Sequence, residues 1–127
     1  MPHVSKYKLS QSQVDQLSQR IVDAVFLLRN RGDLSLFFND LLSTTEKIMI
    51  GKRFLIAIML EHGWSYLDIR QRLKVTDMTI ASISERLKTS GRGFRSAIKQ
   101  LKRRENIDKM LEKFLSPLIE LTRGISQ

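Results

Sequence analysis

Ile69 and Leu73 stand four residues apart, Val75 follows two later, and Ile80, Ile83 and Leu87 resume a spacing of three and four. That rhythm closes one short helix, leaves room for a three-residue turn and opens a second helix packed steeply on the first. Ser65, with Asp68 at the third helical position, supplies the start of the first helix. In a helix-turn-helix such positions form the small core between the two helices and leave the front edge of the second free to enter a groove. The module is predicted over about 65–88, with Met78 and Thr79 near the front of its second helix.

The rest of the chain reads as helix on both sides. Two prolines and six glycines in 127 residues favour long regular elements over many turns. Ser10 and Gln13 form a capping-box pattern, and Val14, Leu17, Ile21, Ala24, Val25 and Leu28 share one helical face up to a stop at Asn30-Arg31-Gly32. Asp33 is expected to cap a second helix through Leu42, so densely apolar that it must be buried nearly all round, in the core or against a partner subunit. Ser43-Thr44-Thr45-Glu46 repeats the capping box, and Ile48 to Leu60 forms the longest pattern before a cap at Gly63 and an anchoring Trp64. A loop is expected at Ser90-Gly91-Arg92-Gly93. Phe94, Ile98 and Leu101 then mark a basic helix, and Ile107 to Leu118 an amphipathic packing helix that Pro117 can kink or restart.

Charge narrows the function. Twenty-two Lys and Arg against thirteen Asp and Glu give a net charge of +9 and a pI near 10.3, a surplus that favours a polyanion such as nucleic acid. From Arg86 through Arg104 there are eight basic residues and no acidic one. The absence of cysteine excludes disulfides and thiolate metal sites, and His3 and His62 make a poor metal pair. No apolar leader or span of about 20 residues is present, so the expected location is cytoplasmic and a membrane partner is not expected. No nucleophile–base arrangement or phosphate loop emerges, and neither catalysis nor a cofactor is assigned.

In the order of its helices and the character of their junctions, the segment from Phe37 to Leu87 resembles the tryptophan repressor family. The most specific parts are Leu41-Leu42-Ser43-Thr44-Thr45-Glu46, the Gly51-Lys52-Arg53 stretch, and Thr79-Ile80-Ala81-Ser82-Ile83 on the second helix of the module. The similarity covers roughly residues 10–90. It implies an all-α, multi-helix bundle containing the helix-turn-helix, here with extra C-terminal helices. It further implies an intertwined homodimer with two recognition helices facing successive major grooves. The chain accordingly divides into 1–90, the family-like helical domain, and 91–127, a basic then amphipathic extension.

Carried over by position, the resemblance puts Thr76, Asp77, Met78 and Thr79 at the groove-facing start of the recognition helix, with Ala81 and Ser82 beside them. Thr76, Met78, Thr79 and Ser82 are the candidate base contacts, and Asp77 is favoured as a helix cap. The family's co-repressor lies between two arginines. Arg53 matches the first, but Ser82 stands at the second, and Arg86 stands where the family has a serine. A pocket of Arg53, Ser82 and Arg86 therefore does not predict tryptophan binding, and a different small-molecule co-repressor is left open. Lys74 replaces the usual glycine of the turn, which is expected to be slightly reshaped.

Charge alone nominates the phosphate contacts: Arg70, Arg72, Lys74, Arg86, Lys88, Arg92 and Arg95. The expected function is sequence-specific transcriptional regulation, as a repressor-like protein with duplex DNA and a second copy of the chain as partners. The alternatives are nonspecific nucleoid or RNA binding through the basic helix, and a helical protein-interaction module.

Overall fold

A computed structural model describes residues 8–115. Among these, all regular structure is helical. The helices are α1 (Gln11–Leu27), α2 (Arg31–Leu41), α3 (Thr44–Glu61), α4 (Tyr66–Leu73), α5 (Asp77–Thr89) and α6 (Arg92–Arg104). A seventh, α7, runs from 107 to the last described residue, 115. The expected kink at Pro117 and the end of the stripe at Leu118 lie outside the described residues. The chain forms two compact units, Met1–Thr44 and Thr45–Gln127.

In the first unit, α1 starts at the expected capping box. The Gln13 backbone N–H donates to Ser10 Oγ at 3.2 Å, and the Ser10 N–H donates to Gln13 Oε1 at 2.8 Å. The junction to α2 differs from expectation. Asn30 is not part of a stop for α1, which ends at Leu27; it caps α2, its Oδ1 accepting from the N–H groups of Gly32 and Asp33. Asp33 therefore sits inside the first turn, where its charge favours the helix dipole. The expectation that α2 is buried nearly all round also fails within one chain. Neither α1 nor α2 contains a buried residue, and Phe26, Leu27 and Leu36 are 82%, 73% and 63% exposed.

The second unit holds the core. Ile56, Ala57, Ile58 and Met59 of α3, Ile69 and Leu73 of α4, Ile80, Ile83 and Leu87 of α5, Ile98 of α6, and Ile107, Leu111 and Leu115 of α7 form one buried cluster. At about 25 cal/mol per Å² of apolar area, each of these large side chains contributes roughly 1.5–3 kcal/mol. The C-terminal helices thus share one interior with the helix-turn-helix.

The end of α3 sets the start of the module. Gly63 takes φ 81, the Trp64 N–H donates to Met59 O at 3.0 Å, and the Gly63 N–H donates to Leu60 O at 3.1 Å. This is the paired closure of a left-handed helix cap. It turns the half-buried Trp64 onto the core. Ser65 Oγ then accepts from the Asp68 N–H at 3.1 Å and α4 begins.

Candidate nucleic-acid interface

Lys74, Val75 and Thr76 form the turn between α4 and α5. Lys74 adopts the left-handed conformation itself, φ 55 and ψ 54. A lysine thus takes the left-handed backbone of the turn and bears the strain that glycine would avoid. Its N–H closes α4 on Arg70 O at 3.0 Å, and its carbonyl accepts from Lys52 Nζ at 3.4 Å.

Thr76, not Asp77, is the cap of α5. Its Oγ1 accepts from the Thr79 N–H at 3.2 Å and lies 3.0 Å from Thr79 Oγ1. Asp77 opens the helix and pairs with Arg70 instead, the guanidinium Nη1 lying 2.8 Å and 3.0 Å from the two carboxylate oxygens. Both side chains of that pair are well exposed, so it adds little stability. It does hold Arg70 beside the start of α5 and neutralises an acidic group there.

The face of α5 opposite Ile80, Ile83 and Leu87 is open. Met78 is 83% exposed, Ala81, Ser82 and Arg86 are exposed, and Thr79 is half-buried. Met78, Thr79, Ser82 and Arg86 border a groove of about 380 Å³ whose other walls are Arg53 from α3 and Phe94 from α6. Arg53, Ser82 and Arg86 are thus brought together. The groove has two guanidinium-bearing walls and an apolar side of Met78, Ile83 and Phe94. Phe94 was legible only as a core position of α6, since its spacing to Ile98 and Leu101 gives no hint of a groove.

The basic residues divide by what already holds them. The Arg72 guanidinium lies over the Trp64 ring, 5.0 Å from its centroid, a cation–π contact that keeps it half-buried. Arg95 donates to Leu87 O at 2.6 Å, to Ser90 O at 3.4 Å and to Glu61 Oε1 at 3.2 Å. It ties the first turn of α6 to the last turn of α5 and the end of α3. The expected loop at 90–93 shrinks to Ser90 and Gly91, because Arg92 and Gly93 are already helical. Gly91 is buried with φ 65, and a Cβ there would meet Leu87 O and Leu87 Cα at 2.8 and 2.9 Å. Arg86, Lys88 and Arg92 are exposed.

Among the described residues no cluster of three or more potential ligands is placed to hold a metal, and no helix is long and apolar enough to cross a membrane. The family model described as Trp repressor protein matches residues 12–102. Neither the curated proteins nor the solved structures give a match.

Proposed function

The chain belongs to the Trp repressor family, whose members are non-enzymatic regulators, and from that premise we propose a homodimeric, sequence-specific transcriptional repressor that does not respond to tryptophan. Family membership itself points to DNA-binding transcriptional regulation. The observation that carries the finer reading is the open edge of α5: a well-capped helix start with Thr76, Met78, Thr79 and Ser82 along it, backed by three buried aliphatic residues.

In this reading Met78 supplies an apolar contact suited to a thymine methyl, and the short hydroxyls of Thr79 and Ser82 meet bases directly or through water. Thr76 contributes mainly by fixing the helix start. Arg70, Arg72, Lys74, Arg86, Lys88 and Arg92 supply phosphate contacts, which set affinity and orientation without reading bases. Arg95 acts within the chain, through the bonds that fix α6.

Dimerisation is supported by surfaces that one chain leaves uncovered. The first unit buries no side chain of α1 or α2. The second carries an apolar groove of about 780 Å³ lined by residues that include Ile48, Phe54, Leu55, Leu101, Met110 and Phe114. A second copy supplies apolar surface for both.

The lack of a tryptophan response follows from Ser82, which has no guanidinium to stack on an indole ring, so that Arg53 faces no arginine across the groove from that position. The groove with Arg53 and Arg86 is the place for any small-molecule co-repressor, one carrying an anionic group.

In vitro selection from random duplex DNA, run with and without tryptophan, tests the proposal. A two-fold symmetric consensus with half-sites about one helical turn apart, the same in both arms, is the expected result. A flat selection overturns sequence specificity, and a consensus found only with tryptophan overturns the reading of the groove.

A further inference from the structure

α6 presents a basic stripe that the contacts within the chain leave unused. At 3.6 residues per turn, Arg92, Lys99 and Arg103 fall on one narrow arc with Lys102 beside them, whereas Phe94, Ile98 and Leu101 face the core or the groove. Arg92, Lys99, Lys102 and Arg103 are all exposed. Among the described residues none of their side chains has a hydrogen-bond or ion-pair partner. No acidic residue lies anywhere in α6.

The stripe is held in a fixed relation to α5. Arg95 joins α6 to the carbonyls of Leu87 and Ser90 and to Glu61, and the buried Gly91 leaves no room for the junction to relax around a side chain. Four exposed cations without partners, on a helix so anchored, present a fixed positive field suited to a polyanion. From Arg92 to Arg103 the helix rises about 16 Å at 1.5 Å per residue. Over that length one strand of duplex DNA presents about five phosphates, at 3.4 Å of axis each.

We propose that the α6 stripe of Arg92, Lys99, Lys102 and Arg103 is a second DNA-backbone contact, adding a sequence-independent footprint to that of the helix-turn-helix. The proposal rests on the DNA-binding reading above and extends it to Lys99, Lys102 and Arg103, which the helix-turn-helix does not include. Specificity stays with α5, and α6 adds affinity and salt dependence.

The test compares the full-length protein with the triple variant K99Q/K102Q/R103Q and with the charge-matched control R20Q/R29Q/R31Q. Glutamine keeps helix propensity close to that of lysine and arginine. Binding to a 40-base-pair random-sequence duplex is measured across salt concentrations, and base preference by selection. Each phosphate contact removed lowers the log–log salt slope by about 0.9. The expected result is a slope reduced by about 2–3 per protomer in the triple variant, a smaller change in the control and the same selected consensus in both. Equal slopes in triple variant and control overturn the stripe while leaving the helix-turn-helix reading intact. A parent protein that binds the duplex with no salt dependence overturns both. Circular dichroism of each variant checks that the helices persist, and loss of helicity confined to the triple variant overturns the claim that these side chains are free.

Discussion

Lys74 holds the left-handed conformation with an exposed side chain, so the residue's backbone and its charge can be tested separately. An L-residue in that region costs roughly 1–2 kcal/mol relative to its right-handed alternatives. Lys74→Gly removes this strain but gives the unfolded chain more freedom, which costs about 0.4–1 kcal/mol in the opposite direction. The net expectation is a gain of about 0.5–1 kcal/mol, seen as a higher urea midpoint at unchanged slope. The hydrogen bonds at this residue use its backbone N–H and carbonyl, which glycine retains. DNA binding moves the other way: loss of one phosphate contact lowers the salt slope by about 0.9 per protomer. Lys74→Ala separates the two effects, since alanine keeps the strain and loses the charge. It should match the glycine variant on DNA without its stability. Protein concentration is held constant, because association contributes to apparent stability. A glycine variant no more stable than the alanine variant refutes the strain argument, and a salt slope identical to the parent's refutes the phosphate contact.

Two further substitutions probe the edges of α5. Gly91→Ala places a Cβ within 3 Å of Leu87 backbone atoms at a positive φ, and should cost about 2 kcal/mol or more in thermal or urea unfolding; a loss below 0.5 kcal/mol would show that the junction yields. Asp77→Asn breaks an exposed ion pair and should change stability by less than about 1 kcal/mol, while DNA affinity at fixed salt rises as Arg70 is released and an acidic group leaves the interface. A titration showing weaker binding for that variant would mean that the pair, rather than free Arg70, is the DNA-competent arrangement.

The helices and the module were legible because their signals are local. Ser10, Gly63 and Ser65 each act on backbone groups within four residues, and Ile69, Leu73, Ile80, Ile83 and Leu87 report a period that any packing of two short helices must satisfy. Sequence alone is ambiguous where one residue has two compatible roles. Asn30 beside Gly32 suits a helix end, yet the same side chain caps the next helix. Asp77 has the residue type of a cap, yet Thr76 beside it caps α5, and Asp77 pairs with Arg70, seven residues back and across the turn. In sequence Arg95 is one more cation in a basic run. Only the approach of Leu87, Ser90 and Glu61 makes it a tie within the fold.

The apolar density of α2 shows how far a hydrophobic pattern reaches. Leu34, Leu36, Phe37, Phe38, Leu41 and Leu42 fix how much surface must leave water, not which chain covers it. Phe37 and Phe38 touch each other with ring centroids 5.9 Å apart, but two half-buried rings do not repay the ordering of eleven residues at about 1–2 kcal/mol of backbone entropy each. Fully covering the exposed Val14, Leu17, Phe26, Leu27 and Leu36 would return roughly 1.5–3 kcal/mol per side chain. For the five together that is at most about 8–15 kcal/mol, a contribution toward a backbone entropy of roughly 28–56 kcal/mol for the 28 residues of α1 and α2. In the proposed dimer, covering these side chains would add to the stability of α1 and α2. α5 needs no such partner for its own core, since Ile80, Ile83 and Leu87 are already covered by one chain. In the proposed dimer, what a second copy would add to DNA reading is therefore the spacing of two such edges, since each is supported by its own chain's core.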